Sequence, residues 1–180
     1  MRRMAPALLL TALLAGCGGL APNPAAELPE VDPRVGAATV AFGIDLLKEV
    51  YTGENALLSP VSASVVLSLT GAGARGETQA EFWQALRLDG LTPDEIQAGN
   101  RALHAVLTRP DPKVEVNLAN AVWHRPDVAV EEAFVDLAGK YYGAAVDEAE
   151  FGTRAGTEKI NDWTAEQTRG KIEKLFEETS

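Results

Sequence analysis

The run 59-SPVSASVVLSLTGAG-73 constrains the rest of the chain more than any other stretch. Ser59-Pro60 has the form of a helix start: a serine able to cap, then proline at the first helical position, where its missing N–H is not needed. From there to about Leu69 the residues are apolar on nearly all sides, and the glycines at 71 and 73 end the run. A helix hydrophobic all round offers no face to water, so it belongs at the centre of a core with other elements packed about it. Yet Ser59, Ser62 and Ser64 place hydroxyls near its start.

The surrounding sequence supplies candidate layers. Residues 34–52 carry Val40, Ile44, Leu47 and Tyr51 as a helical stripe closed by Gly53. Residues 55–58 form a short apolar run that reads as a buried strand. Thr78 and Glu81 have capping-box spacing ahead of Phe82, Leu86 and Leu88, and Thr92 with Glu95 repeats that spacing ahead of a helix to about Leu107. Prolines 110 and 112 demand a turn. Residues 114–123 alternate as a strand, 131–142 place Phe134, Leu137, Ala138 and Tyr141 on one helical face, and 144–151 suit a short strand. A last amphipathic helix spans about 154–168 with Ile160 and Trp163, ending near Gly170. The expectation is an α+β fold of six helices and three short strands, helices dominating. A chain of 180 residues holds one such core and is short for two.

The first 17 residues read as a leader. Arg2 and Arg3 precede the apolar stretch 7–15, which is too short to span a bilayer, and Leu14-Ala15-Gly16 leads into Cys17, the chain's one cysteine. That order resembles a bacterial lipobox, which implies lipid attachment at Cys17, export across the inner membrane, and anchoring in the cell envelope or at the cell surface. An ordinary signal peptide with a coincidental cysteine is the alternative. Residues 18–33, rich in proline, glycine and alanine, read as a tether reaching at most ~50 Å.

Several function classes have nothing to stand on. With 16 basic against 26 acidic side chains the net charge is −10, which argues against nucleic acid and anionic surfaces. The chain has no Gly-x-Ser-x-Gly elbow, no phosphate-binding loop and no His-Glu-x-x-His zinc motif. His104 and His124 have no metal-like spacing, and Ser59 as an N-cap is committed to backbone N–H groups. No enzyme, metal or cofactor is expected.

From Asn55 to Thr78 the sequence resembles the serpin signature without a gap: Ser59, Pro60, Ser62, Gly73, Gly76 and Thr78 fall where that family has them. A second block, 160-INDWTAEQTRGKI-172, is similar to the family's sixth helix and its exit. The run 118-LANAVW-123 looks like the second strand of its main sheet. The resemblance implies a serpin fold, with residues 34–180 as its N-terminal portion: helices A to F and short strands of the main sheet. It also implies suicide inhibition of serine, and in some members cysteine, proteases. The protease attacks a bait loop, and the acylated loop then inserts as an extra strand. Asn55, Ser59 and Ser62 would belong to the shutter beneath the parting strands; for Ser59 a helix cap, and for Ser62 a local backbone bond, are the structural alternatives. Asn161, Trp163, Thr168 and Gly170 would anchor the helix lying across the sheet, with Trp163 as a plain core residue the alternative.

Residues 1–180 contain no bait loop, hinge or C-terminal strands of that family, so the chain is expected to be a fragment or truncated product. Taken alone it could not inhibit by that mechanism. A non-inhibitory serpin-like binding protein and a non-functional remnant are the rival expectations. Residues 92–109, equivalent to the helix that binds sulfated polysaccharides in some members, offer Arg101 and Arg109 against Asp94 and Glu95, which argues against polyanion activation.

Overall fold

Helix starts are the most local feature of the chain. The computed structural model describes residues 29–109 and 111–177. Cys17, the leader and most of the proposed tether therefore lie outside the described residues. Helix α1 (Pro33–Val50) begins at Asp32, whose side chain accepts from the Arg34 N–H. Helix α2 (Pro60–Gly73) is capped by Ser59, and α3 spans Gly76–Ala85. Helix α4 (Pro93–Leu107) opens with the complete Thr92–Glu95 capping box. Strand β1 (Asn120–His124), helix α5 (Glu132–Tyr142), strand β2 (Ala144–Glu148) and helix α6 (Arg154–Gln167) follow.

The capping box ties two helices together. The Glu95 carboxylate accepts from the Thr92 N–H at 2.7 Å and from the Arg34 guanidinium at 2.7 Å. These contacts, the Thr92 backbone bond foremost, hold its pKa down at about 2. The folded value lies below the ordinary glutamate value, so this stabilising contribution is full above the ordinary range and is lost as the pH falls towards 2. An NMR titration of the Glu95 carboxyl should find a midpoint near that value; an ordinary glutamate midpoint would mean that the box is open in solution.

Four local expectations are corrected. Helix α1 buries Val35, Ala38, Phe42 and Gly43, while Val40, Ile44, Leu47 and Tyr51 of the anticipated stripe face outward. The reason is close approach: a Cβ on Gly43 would lie 2.5 Å from the Pro60 ring, and one on Gly99 2.5 Å from Val35. The small-residue faces let the helices meet, and the larger side chains are turned away. Residues 55–58 are not a strand, and Leu57 is fully exposed. Thr78 does not cap α3, which starts at Gly76 with Arg75 as its N-cap and no side-chain bond. Only the end of the run 114–123 is a strand, and without 55–58 the described residues contain two strands rather than three.

Those two strands resolve the question of partnership. β1 and β2 pair in parallel, Asn120 opposite Ala144 through His124 opposite Glu148, with α5 as the crossover. The inner face rests on a cluster of Val65 and Leu69 from α2, Ala138 and Tyr142 from α5, and Ala144, joined by Val122 and Val146. A second cluster joins Val35, Ala38 and Phe42 of α1 to Trp83, Leu86, Leu88 and Ile96. Ala72 of α2 packs against both. Helix α2 is central, as its composition requires, but not enclosed: Ser64 and Ser68 are buried while Val66 and Leu67 face outward.

Ser68 is fully buried and its hydroxyl meets no hydrogen-bond partner among the described residues. Removing an unpaired buried hydroxyl forfeits no bond. Ser68→Ala is therefore expected to stabilise the fold by about 1 kcal/mol, seen as a higher urea midpoint with an unchanged slope; a lower midpoint would show that the hydroxyl does find a partner in solution.

Candidate functional site

Two places hold the residues singled out by the sequence: the start of α2, and α6 with the segment leaving it. At the first, the Ser59 Oγ accepts from the Ser62 N–H at 3.3 Å and lies 2.8 Å from the Ser62 Oγ. The serines are thus a bonded pair, both exposed, with Ser59 a helix cap as well. Asn55 is exposed and shares no hydrogen bond with either serine among the described residues. Val61, between the two serines in sequence, packs into the cluster that carries Val122 and Val146. Among the described residues the Ser59 hydroxyl is bonded to Ser62 and to no base.

At the second place, Asn161 is buried and uses both ends of its amide. Its Oδ1 accepts from the N–H groups of Leu175 and Phe176, each at 2.9 Å, and its Nδ2 donates to the Phe176 carbonyl at 2.9 Å. A single side chain thereby stands in for a neighbouring strand. Thr168 closes the helix, its Oγ1 donating to the Thr164 carbonyl at 2.8 Å and accepting from the Ile172 N–H at 3.0 Å. Gly170, at φ +74°, takes the left-handed turn that sends the chain back. Trp163 meets Trp123 of β1 edge to face, ring centroids 5.8 Å apart. Asn161, Thr168 and Gly170 thus act on the exit segment, and Trp163 on the sheet.

Sequence reasoning missed the partners on the sheet. Trp123 and Asp147 are opposite one another in register and face α6 together. Lys159, one turn before Trp163, reaches Asp147 Oδ2 at 2.9 Å and donates to the Glu148 carbonyl at 2.8 Å. That ammonium, ahead of the Glu148 backbone N–H, holds the Asp147 carboxyl below its ordinary pKa. The strand alternation and the four-residue spacing of Lys159 and Trp163 were legible, but the parallel pairing that unites them was not.

Among the described residues no group of three or more His, Cys, Asp or Glu could hold a metal, and no helix is long and apolar enough to cross a membrane.

A family model described as "Serpin (serine protease inhibitor)" matches residues 37–180. Serpin B6 of Bos taurus is 30% identical over 145 residues, covering 77% of this chain and 38% of that protein. Serpin A3-3 of Bos taurus is 28% identical over 190 residues, covering 99% of this chain and 46% of its own length. The thermophilic serpin Tengpin, solved in its latent state, superposes with a TM-score of 0.74 at 27% identity, covering 86% of this chain and 42% of that one. The chain therefore spans less than half the length of these relatives.

Proposed function

The chain belongs to the serpin family, and from that premise we propose that it is the N-terminal portion of a serine-type endopeptidase inhibitor. The complete domain offers a bait loop to the protease and is acylated by it. It traps the acyl-enzyme by taking the loop into its main sheet as a new strand. Serine proteases, and in the wider reading cysteine proteases, are the partners; the inhibitor contributes no catalytic residue.

The observation that carries this reading is the arrangement about the β1–β2 pair. Helix α2 supports one face with the Ser59–Ser62 hydroxyl pair at its end, and α6 crosses the other. Hydroxyls bonded to one another at 2.8 Å and open to solvent can be re-bonded when strands part. In the complete protein, Ser62→Leu is expected to raise the number of inhibitor molecules consumed per protease at least twofold or to promote polymerisation. Unchanged stoichiometry would remove Ser62 from the shutter.

The direct test incubates the complete protein with trypsin-, chymotrypsin-, elastase- and subtilisin-type proteases and looks for a covalent complex that survives boiling in SDS. Its formation supports the reading; loop cleavage by every enzyme without a complex overturns it in favour of a non-inhibitory binding protein.

Residues 1–17 are proposed as a lipoprotein leader, with Cys17 acylated and residues 18–33 as the tether that holds the domain off the envelope membrane. Cys17→Ser should then move the protein from the detergent phase to the aqueous phase in detergent partitioning. Continued partitioning into detergent would rule out this anchor.

A further inference from the structure

Helices α1 and α4 begin at the same corner of the fold, and their first turns share one cation. Helix α1 is capped by Asp32, whose Oδ1 accepts from the Arg34 N–H at 2.8 Å. Helix α4 is capped by Thr92, and Glu95 Oε2 reaches back to the Thr92 N–H at 2.7 Å. The Arg34 guanidinium stands between the two. Its Nη2 donates to Asp32 Oδ2 at 2.6 Å and to Glu95 Oε1 at 2.7 Å. Each carboxylate therefore holds a backbone N–H of its own helix start with one oxygen and the guanidinium with the other.

The side chains of Arg34, Asp32 and Glu95 are 55%, 26% and 38% exposed, and a lone surface ion pair contributes little. Here two carboxylates meet one planar fork. Both are already fixed by backbone bonds, and both sit at helix N-termini, where negative charge is favoured. Little side-chain freedom is lost when the bridge closes. Next to Arg34 and Glu95 in sequence, Val35 and Ile96 are buried in one cluster, and a Cβ on Gly99 would lie 2.5 Å from Val35. The bridge thus spans a contact too close for one helix start to slide along the other.

This corner is also where the chain enters the domain, since residues 29–31 run into Asp32 with no helix or strand of their own. Helix α4 has 15 residues, a length of ~22 Å. At its far end His104 meets the turn between α5 and β2, where a Cβ on Gly143 would lie 2.8 Å from the His104 Nε2. The chain's entry and the start of β2 lie at opposite ends of one helix.

We propose that Arg34 clamps the chain's point of entry to the N-terminus of α4, so that the first turns of α1 and α4 open together and a pull on the residues before Asp32 is borne by both helices. The clamp stands on these contacts and requires neither the inhibitor reading nor acylation of Cys17. With Cys17 acylated, the tether meets the domain at the end of α4 remote from β2.

Hydrogen–deuterium exchange of the full chain, read on overlapping peptides by mass spectrometry, tests the coupling from both sides. Arg34→Met keeps the aliphatic stem and removes the fork. It is expected to speed exchange over residues 36–39 and, across the interface, over 96–99 by about two- to fivefold, leaving α5 and α6 unchanged. Glu95→Gln keeps an oxygen for the Thr92 N–H and loses the charge that faces Arg34. It should loosen 36–39 as well, although the substitution lies on α4. Exchange that changes only in the helix carrying the substitution would overturn the clamp, since each cap would then stand alone. No change in either helix, or an equal rise in all six, would overturn it too.

Discussion

Truncating Tyr142 to alanine is expected to cost about 3–5 kcal/mol, the largest loss foreseen for any single site in this chain. Tyr142 is 1% exposed and is the largest of the fully buried side chains. It lies at the end of α5 against Val65 and Leu69 of α2, with Ala144 of β2 in the same cluster, so its ring is shared by the central helix and the sheet. Removing it leaves a cavity where three elements meet, and helices held by their caps and by the strand pair cannot collapse to fill it. The hydroxyl matters less. It donates to the Ser68 carbonyl at 3.5 Å, the outer limit of a hydrogen bond, so Tyr142→Phe should cost below about 1 kcal/mol. Equilibrium urea unfolding of the two variants separates volume from hydroxyl. Equal losses in both would show that the bond, not the ring, holds this junction.

Replacing Asn161 with leucine should cost about 3 kcal/mol, about 1 kcal/mol for each of three bonds. Leucine keeps the volume but can satisfy none of the Leu175 N–H, the Phe176 N–H or the Phe176 carbonyl, which now meet the Asn161 amide. Residues 175–177 contain no described helix or strand, so this amide is what gives the segment its place. Asn161→Asp keeps the acceptor for both N–H groups and loses only the donated bond, so its loss should be the smaller of the two. Urea midpoints in the order parent, Asp, Leu are expected, with amide exchange at 175–176 following the same order. If aspartate and leucine prove equally damaging, the Nδ2 donation to Phe176 is the bond that counts.

The two predictions differ in what the sequence showed beforehand. Asn161 was marked by the block 160–172 as an anchor of the helix across the sheet; its amide bonds the exit segment at Leu175 and Phe176. Tyr142 entered the sequence reading only as the end of a helix, because the aromatic stripe of 131–142 favoured Phe134 and Tyr141, which are half-buried. The Ser59–Ser62 pair was legible, whereas Asn55 stands apart from it. Lys159 had no place in the sequence analysis, and its contacts depend on Trp123 and Asp147 being opposite one another.

What the sequence determined by itself was whatever closes within a few residues. Ser59 caps α2, Thr92 and Glu95 form their box, and Gly170 turns the chain, because each needs only a donor, an acceptor or a left-handed φ within a turn of itself. The family signature was legible for the same reason, being a fixed spacing of such residues. The tertiary structure alone decided which apolar face of α1 turns inward, since Val40 and Ile44 are as hydrophobic as Val35 and Phe42. Only the approach of Pro60 to Gly43 and of Val35 to Gly99 breaks the tie. It decided the strands likewise: the apolar run 55–58 pairs with no strand among the described residues, while 120–124 find 144–148 across α5. Periodicity states what a segment can bury or pair, and long-range packing supplies the partner that makes it do so.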